Sequence, residues 1–331
     1  MSIVTLTPEQ EAQAIELHES SIVILAHDHL FGLEDARAMR QGGVTAKTLK
    51  LTVDGIEWDE DGRRVDIPEF EGYAKRALIT LDKAFCLAET HPDEVTIIRT
   101  VDDIISAKRD GKVGLVIGLE GPRPIEGKLE LLRDFRRLGL RDIQMTWAAP
   151  NQLITDGKLN DFGFEVVREA NRLGILIDLS HLPDEAYYQV IEASKKPTIM
   201  SHAATRAVTG YGDTMTDEKI QALASKGGIV AMHFVSGDYI KPTRNGVQAV
   251  MDDFIDHIDH LRSLVGIEHV ALGGDYFPFT PEDDWKYVKE LDHISLMPNV
   301  TRGLIKRGYS DKETKLVLGE NLLRLYREVW V

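Results

Sequence analysis

The sequence of 331 residues contains one cysteine and fewer basic than acidic side chains. A single thiol excludes an intrachain disulfide and a metal site built from cysteines. We expect this residue, Cys86, to be buried in the apolar stretch 84–87, with a packing role rather than a nucleophilic one. A formal net charge of -15 disfavours nucleic acid and anionic membranes as partners, because basic patches usually bind both.

Long apolar runs are also lacking, and no stretch reaches the ~20 residues of a membrane span. The N-terminal residues do not have the basic start of a secretory signal, and the C-terminal residues carry no lipidation signal. These absences predict a cytoplasmic protein that does not bind a membrane. The sequence leaves a homo-oligomer open.

Short β-branched runs alternate with amphipathic helices along the chain, which is typical of a parallel α/β architecture. We expect eight strands, at 22–26, 44–53, 113–119, 142–146, 175–179, 198–201, 228–234 and 269–273. Apolar stripes at helical spacing predict helices between them, among them 217–226, capped by Thr216, and a long one over 246–265. Eight strands with intervening helices predict a (β/α)8 TIM barrel.

The longest gap between predicted strands covers residues 54–111, between the second and the third strand. A polar turn at 59–62 predicts a hairpin there, and an apolar stripe from Phe70 to Phe85 predicts a helix. Because no flexible linker brackets this stretch, we interpret it as an insertion after the second strand. Residues 1–331 are then a single hydrolase barrel domain.

Polar side chains of metal-binding type follow five of the predicted strands. They are His27 and His29 after the first strand, Glu120 after the third, His181 after the fifth, His202 after the sixth and Asp275 after the eighth. The carboxyl ends of all strands of a barrel meet at one face, where active sites of this fold lie. Imidazole and carboxylate suit zinc or a similar divalent ion, and this set of donors exceeds the need of one tetrahedral ion. The sequence therefore predicts two divalent ions, with zinc as the expected metal. We expect Asp178 to support the ligands through a hydrogen bond rather than to bind metal itself.

Several motifs around these positions resemble the renal (membrane) dipeptidase family of the amidohydrolase superfamily. They are Gly118-Leu119-Glu120-Gly121, Ile177-Asp178-Leu179-Ser180-His181, Ser201-His202, Leu272-Gly273-Gly274-Asp275 and Gly319-Glu320-Asn321-Leu322-Leu323-Arg324. The resemblance implies that Glu120 bridges two ions, that His181 and His202 bind one of them and that His27 binds the other. It also implies that Asp275 handles the proton of the attacking water.

Three positions depart from the pattern of that family. His29 stands where the family has an aspartate, and a neutral ligand in place of an anionic one leaves the metal centre more positive. Trp147 stands where relatives carry a histidine or a tyrosine, and its indole N–H cannot shuttle a proton. Asp213 stands where the family has the arginine that holds the substrate carboxylate, and Arg206 is a candidate to replace it.

Trp147 and Asp213 together lead to a hypothesis about the substrate. An aromatic face and a carboxylate suit a cationic or quaternary ammonium group through cation–π and Coulomb attraction. His233, at the end of the seventh predicted strand, is a further candidate for lining the substrate pocket.

The predicted reaction is that of a metallopeptidase acting on a dipeptide or a small dipeptide-like substrate. A metal-bridging hydroxide attacks the amide carbonyl, and Asp275 acts first as general base and then as general acid. Other amidohydrolase reactions stay open, with an N-acyl amino acid, a lactam, a lactone or a cationic amino-acid derivative as substrate. A protein of another class, a small-molecule-binding barrel with a degenerate metal site, is a further alternative. Metal analysis separates it from a hydrolase.

Overall fold

The computed structural model describes residues 4–58, 64–66, 72–147, 151–210, 214–237, 239–244, 246–277 and 286–330. Eight strands, numbered β1 to β8 here, are Ile24–Asp28, Ala46–Val53, Val113–Glu120, Leu140–Gln144, Leu176–Asp178, Ile199–Ala203, Ile229–His233 and Val270–Gly274. Each pairs in parallel with the next strand along the chain, and β8 pairs with β1. The sheet is thus closed, and the predicted (β/α)8 TIM barrel is confirmed.

Helices cover the outside of the barrel and connect its strands. Within the described ranges, α1 to α13 are Pro8–Ser20, Leu33–Gln41, Tyr73–Thr90, Val101–Arg109, Leu129–Leu138, Asp161–Leu173, Asp184–Ala193, Arg206–Thr209, Asp217–Ser225, Met251–Val265, Pro298–Arg307, Asp311–Lys315 and Asn321–Val329. As predicted, the Thr216 hydroxyl caps α9 by accepting the N–H of Lys219. No helix in these ranges has both the length and the apolar character of a membrane span.

The predicted start of α10 was wrong by five residues, since the helix begins at Met251 rather than at 246. Gly246 has a left-handed backbone, with φ of 70°, which a right-handed helix does not accept. The Asp253 carboxylate accepts the N–H of Val250, so that the helical hydrogen bonding begins there.

The stretch between β2 and β3 contains more than one connecting helix. Strands Ile56–Trp58 and Arg64–Asp66 pair antiparallel, as the predicted hairpin requires, although its turn at 59–63 lies outside the described residues. Strand Val95–Ile98, which follows α3 and precedes α4 in the chain, pairs in parallel with the first half of β3. Leu81 of α3 belongs to the same cluster of buried residues as Leu115 of β3. Helix α3 therefore shares a core with the barrel, and the interpretation of 54–111 as an insertion stays a prediction.

The side chain of Cys86 is exposed, so the prediction of a buried thiol was wrong. The buried face of α3 includes Tyr73, Ala77, Leu81 and Ala84. Cys86 lies two residues beyond Ala84, which corresponds to a rotation of about 200° around the helix axis. The stretch 84–87 is apolar, but the helical period places its thiol on the outer side.

The side chains inside the barrel are apolar at the N-terminal end of the strands and charged farther along the axis. At the N-terminal end of the strands, α13 contributes Leu322, Leu325 and Tyr326 to an apolar cluster with Ile24 of β1 and Val116 of β3. Farther along, three charged side chains meet, namely Lys50 of β2, Asp142 of β4 and Asp178 of β5. Gly118 leaves the room for them, since a Cβ there would lie 3.0 Å from Asp142 Oδ1 and 3.2 Å from Lys50 Cδ. The charged layer lies beneath the carboxyl ends of the strands.

The remaining short elements lie outside the barrel strands. Strand pairs join Ile154–Thr155 with Lys158–Leu159 and Val235–Ser236 with Lys286–Tyr287. Single turns of 3₁₀-helix are Arg123–Ile125, Ile267–His269, Lys289–Leu291 and Ile294–Leu296, and a π-helical turn, Leu316–Glu320, leads into α13.

Candidate metal centre

Strand alternation at the end of β1 sends two imidazoles into the mouth of the barrel. His27 is fully buried, and its Nε2 lies 3.2 Å from Nε2 of His29. Asp28, between them, points to the other side of the strand, where its Oδ1 lies 3.4 Å from Nζ of Lys47. The predicted pair of histidine ligands therefore faces a common point.

Glu120, the last residue of β3, lies at the centre of the cluster. Its Oε2 is 3.5 Å from His27 Nε2 and 3.2 Å from His29 Nε2. Its other oxygen, Oε1, is 3.6 Å from His181 Nε2 and accepts a long hydrogen bond of 3.4 Å from Gln144 Nε2. One carboxylate thus has an oxygen toward each pair of histidines, which is the arrangement a bridging ligand needs.

The second pair of histidines comes from the ends of β5 and β6. Nε2 of His181 lies 2.9 Å from Nε2 of His202. His181 and Asp275 both have left-handed backbones, with φ of 64° and 60°. Such values are uncommon outside glycine and concentrate at functional sites. Two of the predicted site residues therefore occupy backbone positions of this uncommon kind.

Asp275 directly follows β8 and uses both carboxylate oxygens. Its Oδ1 lies 3.1 Å from His29 Nε2, and its Oδ2 lies 3.1 Å from His233 Nε2. Nδ1 of His233 accepts the N–H of Val235 at 3.1 Å, so the ring proton is on Nε2 and is donated to Asp275. His233 is 1% exposed and holds Asp275, and its predicted place on the wall of the substrate pocket stays a prediction.

Electrostatics give the cluster two neutral imidazoles, one protonated imidazole and two ionised carboxylates. Burial lowers the pKa of His27 and of His202, so both rings are neutral. Burial opposes the ionisation of Glu120 and Asp275, but the neighbouring histidines hold the pKa of each carboxyl well below its usual range. For His29, burial is outweighed by Glu120 and Asp275, which raise its pKa to about 10. These carboxylates thus attract a cation to the position between them.

The donors of the cluster fit divalent ions. Two overlapping sets, His27 with His29 and Asp275, and His27 with Glu120 and His202, have ligand atoms within 4.8 Å of one another. Two nitrogens bound to one tetrahedral zinc are about 3.3 Å apart. The facing nitrogens of His27 and His29, at 3.2 Å, and of His181 and His202, at 2.9 Å, are close to that spacing. Imidazole nitrogen and carboxylate oxygen are among the ligands of zinc, and other divalent transition ions accept them as well.

Of the other predicted site residues, Trp147 lies on a loop, Arg206 lies at the start of a helix, and Asp213 lies outside the described residues. Trp147 is half-buried on the loop after β4, and its Cζ3 lies 4.0 Å from where a Cβ on Gly55 would be. Arg206, the first residue of α8, donates to the carbonyl of Thr214 at 3.0 Å. Asp213 lies outside the described residues, so the pairing of Trp147 with Asp213 stays a prediction.

Sequence reasoning missed the polar residues that surround the ligands. Lys50 and Asp142 were included in apolar strands, although their alternation with Thr48 and Gln144 places all of them on the inner face. The predicted fourth strand ended at 146, whereas β4 ends at Gln144, beside Glu120. Ser201 was part of a motif but received no role. The signal that identifies these positions is a polar residue on the side of a buried strand that faces the barrel interior.

A cavity of about 390 Å³ opens beside His29 and reaches down to Lys50. Its apolar wall is formed by Leu30, Phe31, Leu51, Ile56 and Ile79. Arg76 and Lys83, on one face of α3, also line it. Asp35 adds one carboxylate to the lining, so the cavity combines an apolar surface with two cationic side chains and one anionic side chain next to the candidate metal centre.

Comparison with known proteins points to one family. A family model described as membrane dipeptidase (peptidase family M19) matches residues 13–330. A dipeptidase 3 from Rattus norvegicus is 30% identical over 92% of this chain and 60% of its own length. A dipeptidase from Claviceps purpurea is 28% identical over 73% of this chain and 57% of its own length. The chain thus spans less than two thirds of these relatives.

Solved structures agree in fold with this barrel. An amidohydrolase from Pseudomonas aeruginosa has a TM-score of 0.85 and 27% identity, with 96% of this chain and 99% of that chain covered. A metallopeptidase from Rhodobacter sphaeroides, solved with a phosphinate mimic of the dipeptide L-Ala-D-Ala, has a TM-score of 0.78 and 21% identity over 94% of this chain and all of the other. The second likeness is evidence for the fold alone.

Proposed function

Because this chain belongs to the membrane dipeptidase family, we propose that it is a metal-dependent hydrolase that cleaves the amide bond of a dipeptide or a small dipeptide-like molecule. The observation that carries the proposal is the position of Glu120, whose two oxygens face two separate pairs of histidines. A single carboxylate between two imidazole pairs suits a binuclear centre better than it suits a core hydrogen bond.

We assign two divalent ions to this centre, with zinc as the expected metal. His27 and His29 would hold one ion, His181 and His202 would hold the other, and Glu120 would contact both. When bound, such a pair polarises a carbonyl and lowers the pKa of a water molecule.

Asp275 is the residue assigned to proton transfer. Its Oδ1 faces the His27 and His29 side of the centre, at 3.5 and 3.1 Å, while His233 holds Oδ2 from the other side. A carboxylate fixed in this way accepts a proton from the attacking water and gives it to the leaving nitrogen. His233 keeps the orientation of the carboxylate, because its Nε2–H is aimed at Oδ2.

The cavity beside His29 supports a substrate with an apolar side chain and a free carboxylate. Ile56, Ile79 and Phe31 offer apolar contact, and Arg76 and Lys83 offer positive charge. These two cations stand in for the arginine that the family uses and that is replaced here by Asp213. Because these two cations outnumber Asp35, the carboxylate in the same lining, they disfavour a cationic amino-acid derivative in this cavity.

The test is metal analysis followed by a substrate series. Purified protein is expected to hold about two divalent ions per chain and to hydrolyse free dipeptides with apolar side chains faster than their C-terminal amides. Removal of metal by a chelator is expected to abolish hydrolysis, and added zinc to restore it. A protein without metal and without hydrolysis would instead be the non-catalytic binding barrel. Faster cleavage of cationic substrates would reverse the assignment of the cavity.

The cytoplasmic location and a homo-oligomeric state remain predictions from the sequence. Size-exclusion chromatography with light scattering of the purified chain tests the second of them. A single mass near 37.1 kDa would indicate a monomer.

A further inference from the structure

One buried hydroxyl touches both halves of the candidate metal centre. Ser201 of β6 is 0% exposed, and its Oγ lies 2.9 Å from Nδ1 of His27 and 3.0 Å from Nδ1 of His202. His27 belongs to the first histidine pair and His202 to the second. The same hydroxyl donates to Oδ2 of Asp178.

The direction of these hydrogen bonds follows from the number of protons. A serine hydroxyl has one proton to donate and two lone pairs, whereas an ionised carboxylate only accepts. Burial opposes the ionisation of Asp178, but Lys50, 3.0 Å away, holds the pKa of its carboxyl below the usual range. The proton of Ser201 therefore goes to Asp178, and its lone pairs remain for the two imidazoles.

Hydrogen bonds to both of its oxygens fix the orientation of the Asp178 carboxylate. Its Oδ1 accepts the N–H of Ser180 at 3.1 Å, the O–H of Ser180 at 2.8 Å and the N–H of Ser201 at 3.2 Å. Its Oδ2 receives Ser201 Oγ and Lys50 Nζ. Lys50 is itself held by Asp142 across the barrel interior. The charged layer thus fixes the acceptor that orients the hydroxyl.

Each imidazole must then carry its proton on Nδ1. A neutral ring with a proton on Nδ1 has its lone pair on Nε2. Nε2 of His27 faces Glu120 and His29, and Nε2 of His202 faces His181. The nitrogens left with a lone pair are the ones aimed into the centre.

We propose that Ser201 is a positioning residue that sets the tautomer of one histidine in each half of the metal centre and so couples the metal affinity of the two halves. This inference rests on the proposed metal binding. Without the hydroxyl, Nδ1 of each ring would lose its acceptor, and the tautomer with the proton on Nε2 would no longer be excluded. That tautomer cannot bind metal through Nε2.

The first measurement is made on the wild-type chain, and two histidine variants serve only to assign the signals. Nitrogen-15 NMR of metal-free protein labelled at histidine reports which ring nitrogen carries the proton. His27 and His202 are expected as Nδ1–H tautomers, assigned by comparison with His27→Gln and His202→Gln. A proton on Nε2 of either ring would overturn the inference, whether or not the protein binds metal.

The second measurement compares two serine variants. Ser201→Ala is expected to weaken the binding of both ions by roughly 10- to 100-fold, as measured by competition with a chromogenic chelator. Ser180→Ala is the control, because Ser180 also donates to Asp178 at 2.8 Å. Its Oγ also accepts the N–H of Ser201 at 3.1 Å and lies 3.4 Å from Ser201 Oγ, so this variant removes a neighbour of Ser201 but keeps the hydroxyl that faces the two imidazoles. It is expected to change affinity less than about threefold, well below that loss. Thermal unfolding of both metal-free variants verifies that each is folded.

The outcomes separate this inference from the proposed function. A wild-type protein that binds no divalent ion refutes the proposed function, while the tautomers stay measurable. Normal binding by the wild type together with equal affinities of the two serine variants refutes the role of Ser201. A loss confined to one of the two ions refutes the coupling.

Discussion

The two ends of the barrel interior differ in what they bury. At the N-terminal end of the strands, side chains of α13 such as Leu325 and Tyr326 pack against Ile24 and Val116. At the carboxyl end, the same strands bury imidazoles and carboxylates around Glu120. Both ends belong to the same eight parallel strands, so the difference comes from side chains and not from the backbone.

This difference separates stability from chemistry along one axis. Burial of apolar surface stabilises the fold by about 25 cal/mol per Å². Burial of charges such as Lys50 and Asp142 contributes little on balance, because desolvation offsets their attraction. We therefore expect variants at the closed end to change stability at constant activity, and variants at the mouth to change activity at nearly constant stability.

The largest effect is expected for Asp275→Asn at the mouth. The amide cannot accept a proton, and turnover is expected to fall roughly 100- to 10,000-fold while the ions stay bound. Steady-state kinetics with metal analysis tests this. Asp134→Asn, on the exposed face of α5, is the control and is expected to keep wild-type turnover. Turnover of Asp275→Asn within threefold of wild type would remove Asp275 from the mechanism.

The next effect is expected at the closed end, for Leu325→Ala. Leu325 is fully buried, so the free energy of unfolding is expected to fall by about 2–5 kcal/mol. Turnover per folded molecule and metal content are expected to stay unchanged. Urea unfolding measures the loss, with Leu78→Ala as the control, because Leu78 is 44% exposed. A large loss of turnover in folded Leu325→Ala would refute the claim that variants at the closed end change stability without changing activity.

A smaller effect is expected at the cavity beside His29. Ile79 lines this cavity and Leu78 does not, although both are half exposed on α3. Ile79→Glu is expected to raise KM for substrates with an apolar side chain about tenfold, or about 1.4 kcal/mol, with kcat nearly unchanged. Leu78→Glu introduces the same charge one position away and is expected to leave both constants as in the wild type. Equal effects of the two variants would mean that the substrate does not enter this cavity.

The smallest effect is expected in the pH dependence of stability. His257 of α10 accepts the N–H of Thr205 after β6, and burial lowers its pKa to about 4 from 6.5. Because the folded pKa is below the unfolded one, the unfolded state takes up the proton first as the pH falls. Stability is then nearly constant above about pH 7.5 and decreases below it, by about 1 kcal/mol between pH 6.5 and 5.5.

His257→Asn removes this titrating group and tests the sign. Urea unfolding at several pH values is expected to show a smaller decrease below pH 6.5 for the variant than for the wild type. Parallel curves for the two proteins would show that His257 is not the group responsible.

The sequence predicted correctly those features that depend on the residues of a single strand, such as the positions of the strands. Each of the eight predicted strands overlaps an observed one, because a strand buried on both faces is a continuous apolar run. The predicted metal ligands converge because each lies at or shortly after the carboxyl end of its strand, and these ends share one face of a parallel barrel. The same local reasoning failed for Cys86, since an apolar stretch does not say which face of a helix a residue occupies.

Alternation within each strand, together with closure of the barrel, sends His27, Glu120, His202 and Asp275 to the mouth, and the sequence by itself determined that set. Only the tertiary structure decided how they are held. Lys50, Asp142 and Asp178 come from three strands, and His233 meets Asp275 from a fourth. The contacts of Ser201 with His27 join residues 174 positions apart. Such contacts depend on the closed diameter and register of the barrel, which the chain sets only when all eight strands have paired.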